Sequence, residues 1–152
     1  MKILILFLLI SVQTILSQQT YEPKVNGIGV GTTYSTILKK LGKPLLVKKG
    51  GEYPCDSGRI TIIRYSGLRL NLIKSFASNK LIVASMEVTL PKWSVSGIRI
   101  GAKLKDVKAK LTGNIRRENS FDILGGVVKD GYRDFYFQNK RLVKMTWELN
   151  PC

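Results

Sequence analysis

The sequence predicts an α+β fold: two tandem helix-plus-three-strand repeats forming one antiparallel sheet with both helices on one face. Gly27-Ile28-Gly29-Val30-Gly31 is echoed by Gly97-Ile98-Arg99-Ile100-Gly101 at an offset of 70 residues, and the match continues at Ile37/Val107 and Leu41/Leu111. A period that long denotes two similar structural units, not a solenoid of short repeats. Each copy is followed by runs in which apolar and polar residues alternate, the period of a half-buried strand. Asn79-Lys80 before Ile82-Val83 is echoed by Asn139-Lys140 before Leu142-Val143, which places the same turn in both units.

The chain opens on a targeting segment. Lys2 supplies a positive end, Ile3 to Ile10 is unbroken apolar sequence, and Ser11 to Ser17 is more mixed. Residues 1–17 therefore read as a secretory signal peptide, cleaved between Ser17 and Gln19. The alternative, a membrane anchor, needs roughly 20 apolar residues, more than this run supplies. Residues 18–152 then form a single α+β domain with repeats at about 24–90 and 97–149, large enough for one core. No second apolar run has membrane length, so the mature chain has no stable membrane span and is expected to be exported, periplasmic or extracellular.

In the first repeat Thr33 can cap a helix, because its hydroxyl accepts from an otherwise unpaired amide. Ile37, Leu38 and Leu41 share a face, Gly42 can take the left-handed position after the helix, and Pro44 forbids its continuation. In the second, Leu104, Val107 and Leu111 line a face, but Lys103 offers no acceptor as a cap. Strands are predicted at Arg59–Tyr65, Leu68–Lys74 and Leu81–Thr89, then at Ile123–Lys129, Tyr132–Gln138 and Leu142–Leu149. Ile82, Ala84, Met86 and Val88 alternate with Val83, Ser85 and Glu87; Val143, Met145, Trp147 and Leu149 alternate with Lys144, Thr146 and Glu148. Gly50-Gly51 and Gly125-Gly126 are read as turns, and Pro91–Ser96 as the linker between units.

The spacing Gly31, Ile37, Leu41, Gly42, Pro44, with a looser copy at Gly101, Val107 and Leu111, resembles the beta-lactamase-inhibitor-protein-like and outer-membrane-assembly small-lipoprotein (BamE-like) superfamily, in tandem-repeat form. The resemblance implies an antiparallel sheet whose exposed, often concave, face binds another protein. It transfers no contact residue, because the shared motif lies in the scaffold. The lipoprotein's anchoring cysteine has no counterpart here.

Catalytic and metal chemistry find little footing. The chain has no histidine, which removes Ser-His-Asp and Cys-His catalysis and histidine-based zinc sites. Gly27-x-Gly29-x-Gly31 lacks dinucleotide-fingerprint spacing and reads as a tight turn into a helix. Asp130 and Asp134 could be paired carboxylates, but Asp130 falls in a Lys-Asp-Gly turn. No enzyme, cofactor or metal is expected. Cys55 and Cys152 are the two cysteines; in an exported chain they read as one disulfide, with two free thiols as the alternative.

Two surfaces remain. By alternation Phe135, Phe137 and Trp147 face the core, which turns Tyr132, Asp134, Tyr136, Lys144, Thr146 and Glu148 outward; Arg69 and Asn71 extend that face. Tyrosine among charges on an open sheet resembles a protein-binding surface. The expected function is therefore that of an exported non-enzymatic module with a protein partner, inhibitor-like or an accessory in envelope assembly. The alternative follows from a formal charge of +15, which favours anionic partners. Lys39, Lys40, Lys43, Lys105, Lys108 and Lys110 would then bind an anionic envelope component, a glycolipid or polymer, through the helix faces. Lys48, Lys49, Lys103, Arg116 and Arg117 are grouped with them.

Overall fold

The computed structural model describes residues 22–53, 58–128 and 131–150. The signal peptide, both cysteines of the expected disulfide and Asp130 lie outside the described residues. In chain order the elements are α1 (Tyr34–Leu41), β1 (Leu46–Glu52), β2 (Arg59–Tyr65), β3 (Leu68–Lys74), β4 (Leu81–Val88), β5 (Ser94–Val95), β6 (Ile98–Arg99), α2 (Leu104–Lys110), β7 (Asn114–Glu118), β8 (Phe121–Val128), β9 (Gly131–Gln138) and β10 (Arg141–Leu149). Eight strands make one sheet in the order β1-β2-β3-β4-β10-β9-β8-β7, and β5 pairs with β6 separately.

This corrects the predicted fold class. The described residues are mostly antiparallel sheet, with eight strands in the main sheet and only two short helices among them, not two helix-plus-three-strand repeats. The two strands of the main sheet missing from the prediction, β1 and β7, are its outermost strands. β7 is exposed at every position and β1 at nearly every one. A strand with neither face buried carries no alternation to read.

One face of the sheet carries the core. Ile63, Leu70, Met86, Phe135 and Trp147 pack there beneath Ile37 of α1 and Val107 of α2, with Val25, Ile28, Val95 and Ile98 from the connecting hairpins. Leu38 was expected on this face but is exposed; Ile37 is the only buried residue of α1. Thr33 caps α1 by accepting from the Thr36 amide at 3.4 Å, and Gly42 ends it at φ 73°. Lys103 begins α2 without a side-chain cap. Both helix starts are tied to the sheet by the same backbone pair. Gly31 donates to the Val83 carbonyl (2.8 Å) and Val83 to that of Thr32 (2.9 Å); Gly101 donates to Leu142 (2.7 Å) and Leu142 to Ala102 (2.9 Å).

Bulges accompany these ties. Leu72 pairs with Val83 and Asn71 with Ser85, so Ala84 is an extra residue in β4. Phe137 pairs with Leu142 and Tyr136 with Lys144, so Val143 is extra in β10. An extra residue reverses the parity of the strand on one side of it. Val83 and Leu142 therefore enter the core, although simple alternation turns them outward, while the predicted faces of Met86–Val88 and Lys144–Leu149 are kept.

The glycine pairs read as turns lie within strands, Gly50-Gly51 in β1 and Gly125-Gly126 in β8. Their use is space. A Cβ on Gly125 would strike the Arg116 guanidinium and the Asp134 carboxylate, and one on Gly126 would strike the Arg133 guanidinium. Glycine inside a strand often marks such a close approach. The segment read as a linker is also built into the fold: Val95 is buried, and the Trp93 indole donates to the Ser66 carbonyl at 2.7 Å.

Candidate functional site

The face opposite the helices is left uncovered by any other described element, and the register determines what it displays. Directly paired residues share a face. One transverse row runs Asn71, Ser85, Glu148, Tyr132, Val127, and the next runs Arg64, Arg69, Glu87, Thr146, Asp134, Gly125, Asn114. A third holds Lys144, Tyr136, Ile123 and Arg116. All eight residues assigned to this face from the sequence lie on these rows. Seven of them, with Ser85 and Glu87, line a depression of about 290 Å³ that spans β3, β4, β10 and β9. Lys144 stands beside it, its Nζ 3.9 Å from the Tyr136 ring centroid.

Polar side chains stiffen the surface. Arg69 Nε donates to Asn71 Oδ1 (3.3 Å), and Asn71 Nδ2 donates to Ser85 Oγ (2.8 Å). Arg116 grips Asp134 with both terminal nitrogens, at 3.1 and 2.6 Å, a bidentate geometry that fixes direction as well as charge. That hydrogen bonding is the main cause that raises the Arg116 pKa above its ordinary value. Tyr136 is held from two sides, by Lys144 over its ring and by the edge-on Phe121 ring at 6.0 Å. Tyr132 remains 51% exposed.

The central carboxylates stand out in a chain this basic. Among the described residues Glu87 and Glu148 enter no ion pair. They project from adjacent strands near the paired Asp134. The field of Glu148 reaches Tyr53, beyond the end of β1, whose phenol pKa is raised first by burial and then by that charge. The surface offers aromatic contact and hydrogen-bonding groups of both signs on rigid strands. Among the described residues no three Asp, Glu, Cys or His side chains gather in a way that could hold a metal ion.

Sequence reasoning passed over four contributors. Glu87 and Ser85 were readable from the same alternation that exposes Arg69. Arg116 was grouped with the helix lysines because β7 carried no strand signal; it belongs to the open face. Arg133 sits on the core side, in register with Trp147, Met86 and Leu70. It is buried, with Nη2 donating to the Thr112 carbonyl at 2.6 Å and the guanidinium 5.6 Å from the Phe135 ring centroid.

The alternative anion-binding residues divide. Lys105 and Lys108 of α2 line an open groove of about 470 Å³ with Lys103, Lys140 and Arg141. Lys110 is exposed on the same helix. Lys39, Lys40 and Lys43 are exposed at the end of α1 and just beyond it. Lys40 also donates to the Asn26 carbonyl at 3.4 Å.

No protein-family model matches the chain, and no curated protein matches its sequence. Solved structures do share the fold. An extracellular protein containing a SCP domain, from Bacillus anthracis, aligns with 80% of this chain at 18% identity and TM-score 0.55. A cysteine-rich secretory protein from Staphylococcus aureus aligns with 86% at 13% identity and TM-score 0.56. The chain spans under half of each, 44% and 46% respectively. These neighbours overturn the resemblance to the inhibitor-like and small-lipoprotein superfamily. The motif behind it describes only how a short glycine-ended helix is entered and left, a local requirement that different sheets can meet.

Proposed function

We propose that this chain is an exported, non-enzymatic protein-binding module whose working surface is the open sheet face. The observation that carries the reading is the depression across β3, β4, β10 and β9. There an exposed tyrosine, two carboxylates outside any ion pair and the braced Arg69–Asn71–Ser85 chain face solvent together. Aromatic rings and arginines on a preorganised surface dominate protein interfaces, because they bring area and directional bonds at little entropic cost. The mixed signs suit a partner with complementary charges, which adds specificity more than raw affinity. Export is supported by the charged-then-apolar N-terminal run and agrees with the extracellular and secretory descriptions of the two fold neighbours. The lack of histidine supports a role without catalysis.

The test is comparative capture from the exported fraction of the source cells. Wild-type protein, a Tyr132→Ala/Glu87→Lys variant and a Lys105→Glu/Lys108→Glu variant serve as baits. The reading expects one protein retained by the wild type and by the helix-side variant, and lost with the open-face variant. Loss with the helix-side variant alone would contradict it.

A further inference from the structure

We infer a second interaction surface, apart from the central depression of the open face: the corner formed by the end of α1 and the edge strand β1 docks on an anionic phospholipid bilayer. Two observations meet there. Leu45 is 77% exposed, Val47 51%, Leu46 39% and Leu38 37%, four of the nine large apolar side chains exposed among the described residues. Lys39, Lys40, Lys43, Lys48 and Lys49 lie among them in the sequence, and no acidic residue occurs from Val25 to Gly51. The α2 groove is equally basic but has no exposed large apolar side chain.

The local structure explains why these side chains stay outside. β1 has a neighbour on one side only, and its register sets Leu46 opposite Arg64 and Val47 opposite Ile63, so successive residues leave opposite faces of an unprotected edge. Lysines on an edge strand also discourage strand pairing. That role accounts for Lys48 and Lys49 and leaves Leu45 and Leu38 unexplained. Apolar residues interspersed with lysines are the composition of an interfacial membrane contact: the apolar side chains enter the headgroup boundary while the ammonium groups meet lipid phosphates. Among the described residues no helix is long and apolar enough to cross a membrane, so the contact is peripheral.

The experiment is vesicle cosedimentation with protein recovered after export, its N-terminus established by intact mass. Vesicles are phosphatidylcholine alone or with about 30 mol% phosphatidylglycerol, and soluble polyphosphate serves as the competing anion source. The expected result is binding to the anionic vesicles only, weakening as salt shortens the Debye length. Lys43→Gln/Lys48→Gln should lower vesicle affinity roughly ten-fold or more, since each lysine at an anionic surface contributes about 1 kcal/mol. Leu45→Ser/Val47→Ser should lower it comparably while leaving polyphosphate binding unchanged; the positions are exposed, and a matching thermal melt verifies the fold. Equal binding to neutral vesicles would overturn the proposal. So would unchanged vesicle affinity in either variant; in Leu45→Ser/Val47→Ser it would leave a bare polyanion site. A wild-type dimer on size exclusion that Leu45→Ser dissociates would also overturn it, making a second copy of the chain the occupant.

Discussion

Tyr136 and Phe137 are neighbours in β9 and face opposite ways. Phe137 is fully buried among the core residues, so Phe137→Ala should cost roughly 3–5 kcal/mol of stability. Tyr132→Ala, at an exposed position on the other face, should cost only cross-strand contacts of about 0.2–1 kcal/mol and act on partner binding instead. Thermal melts of the two variants check this; a larger loss for Tyr132 would mean the proposed face is covered. Tyr65 supports a pH prediction. Its hydroxyl donates to the Gly42 carbonyl at 2.8 Å, and its pKa is raised above 10.0, first by burial and then by Tyr34. The protonated phenol is favoured in the fold, so its contribution is complete below about pH 10 and is lost as pH rises through the folded-state pKa. Tyr65→Phe should therefore be less stable at neutral pH and lose stability less steeply above pH 10. An unchanged alkaline slope in denaturant titrations would contradict this.

At the scale of elements the two helices differ in one cap. Thr33 accepts from the Thr36 amide, whereas Lys103 starts α2 with no side-chain bond. Lys103→Thr should stabilise the protein and Thr33→Ala should destabilise it, each by about 1 kcal/mol. Chemical denaturation reads both, and a neutral Lys103→Thr would mean that α2 frays without consequence. The inner strands were legible because each buries one face: Leu68, Leu70 and Leu72 against Arg69 and Asn71 leave no other reading. The edge strands were not, since Lys48, Lys49 and Gly50-Gly51, or Arg116 and Arg117, have no buried side to impose a period. Bulges were equally silent, because Ala84 and Val143 look like ordinary strand residues until the backbone ties at Val83 and Leu142 are seen. The site inherited both effects. Its tyrosines and Glu148 lie beyond the bulges and kept their predicted face, while Arg116 was misplaced with its strand.

Across the whole molecule the sheet is joined where β4 meets β10, through Val88–Met145, Glu87–Thr146, Met86–Trp147 and Ser85–Glu148. Core and open face both cross that seam. The buried cluster mixes residues from both sides, and the central depression takes Arg69 and Glu87 from one and Tyr132 and Glu148 from the other. A fragment ending at Lys92 would bare the β4 edge and the apolar side of Met86 and Val88. It should show no cooperative unfolding as a monomer by circular dichroism, whereas a cooperative monomeric transition would mean that each half is a domain. The central claim, that the open face receives a protein partner, is tested most directly by site-specific photocrosslinking in the source cells. A photoreactive amino acid at position 132 should yield one discrete adduct that Glu87→Lys in the same chain abolishes, while the same probe at position 108 yields none. Adducts at 108 and none at 132 would contradict the claim and move the working surface to the helix side.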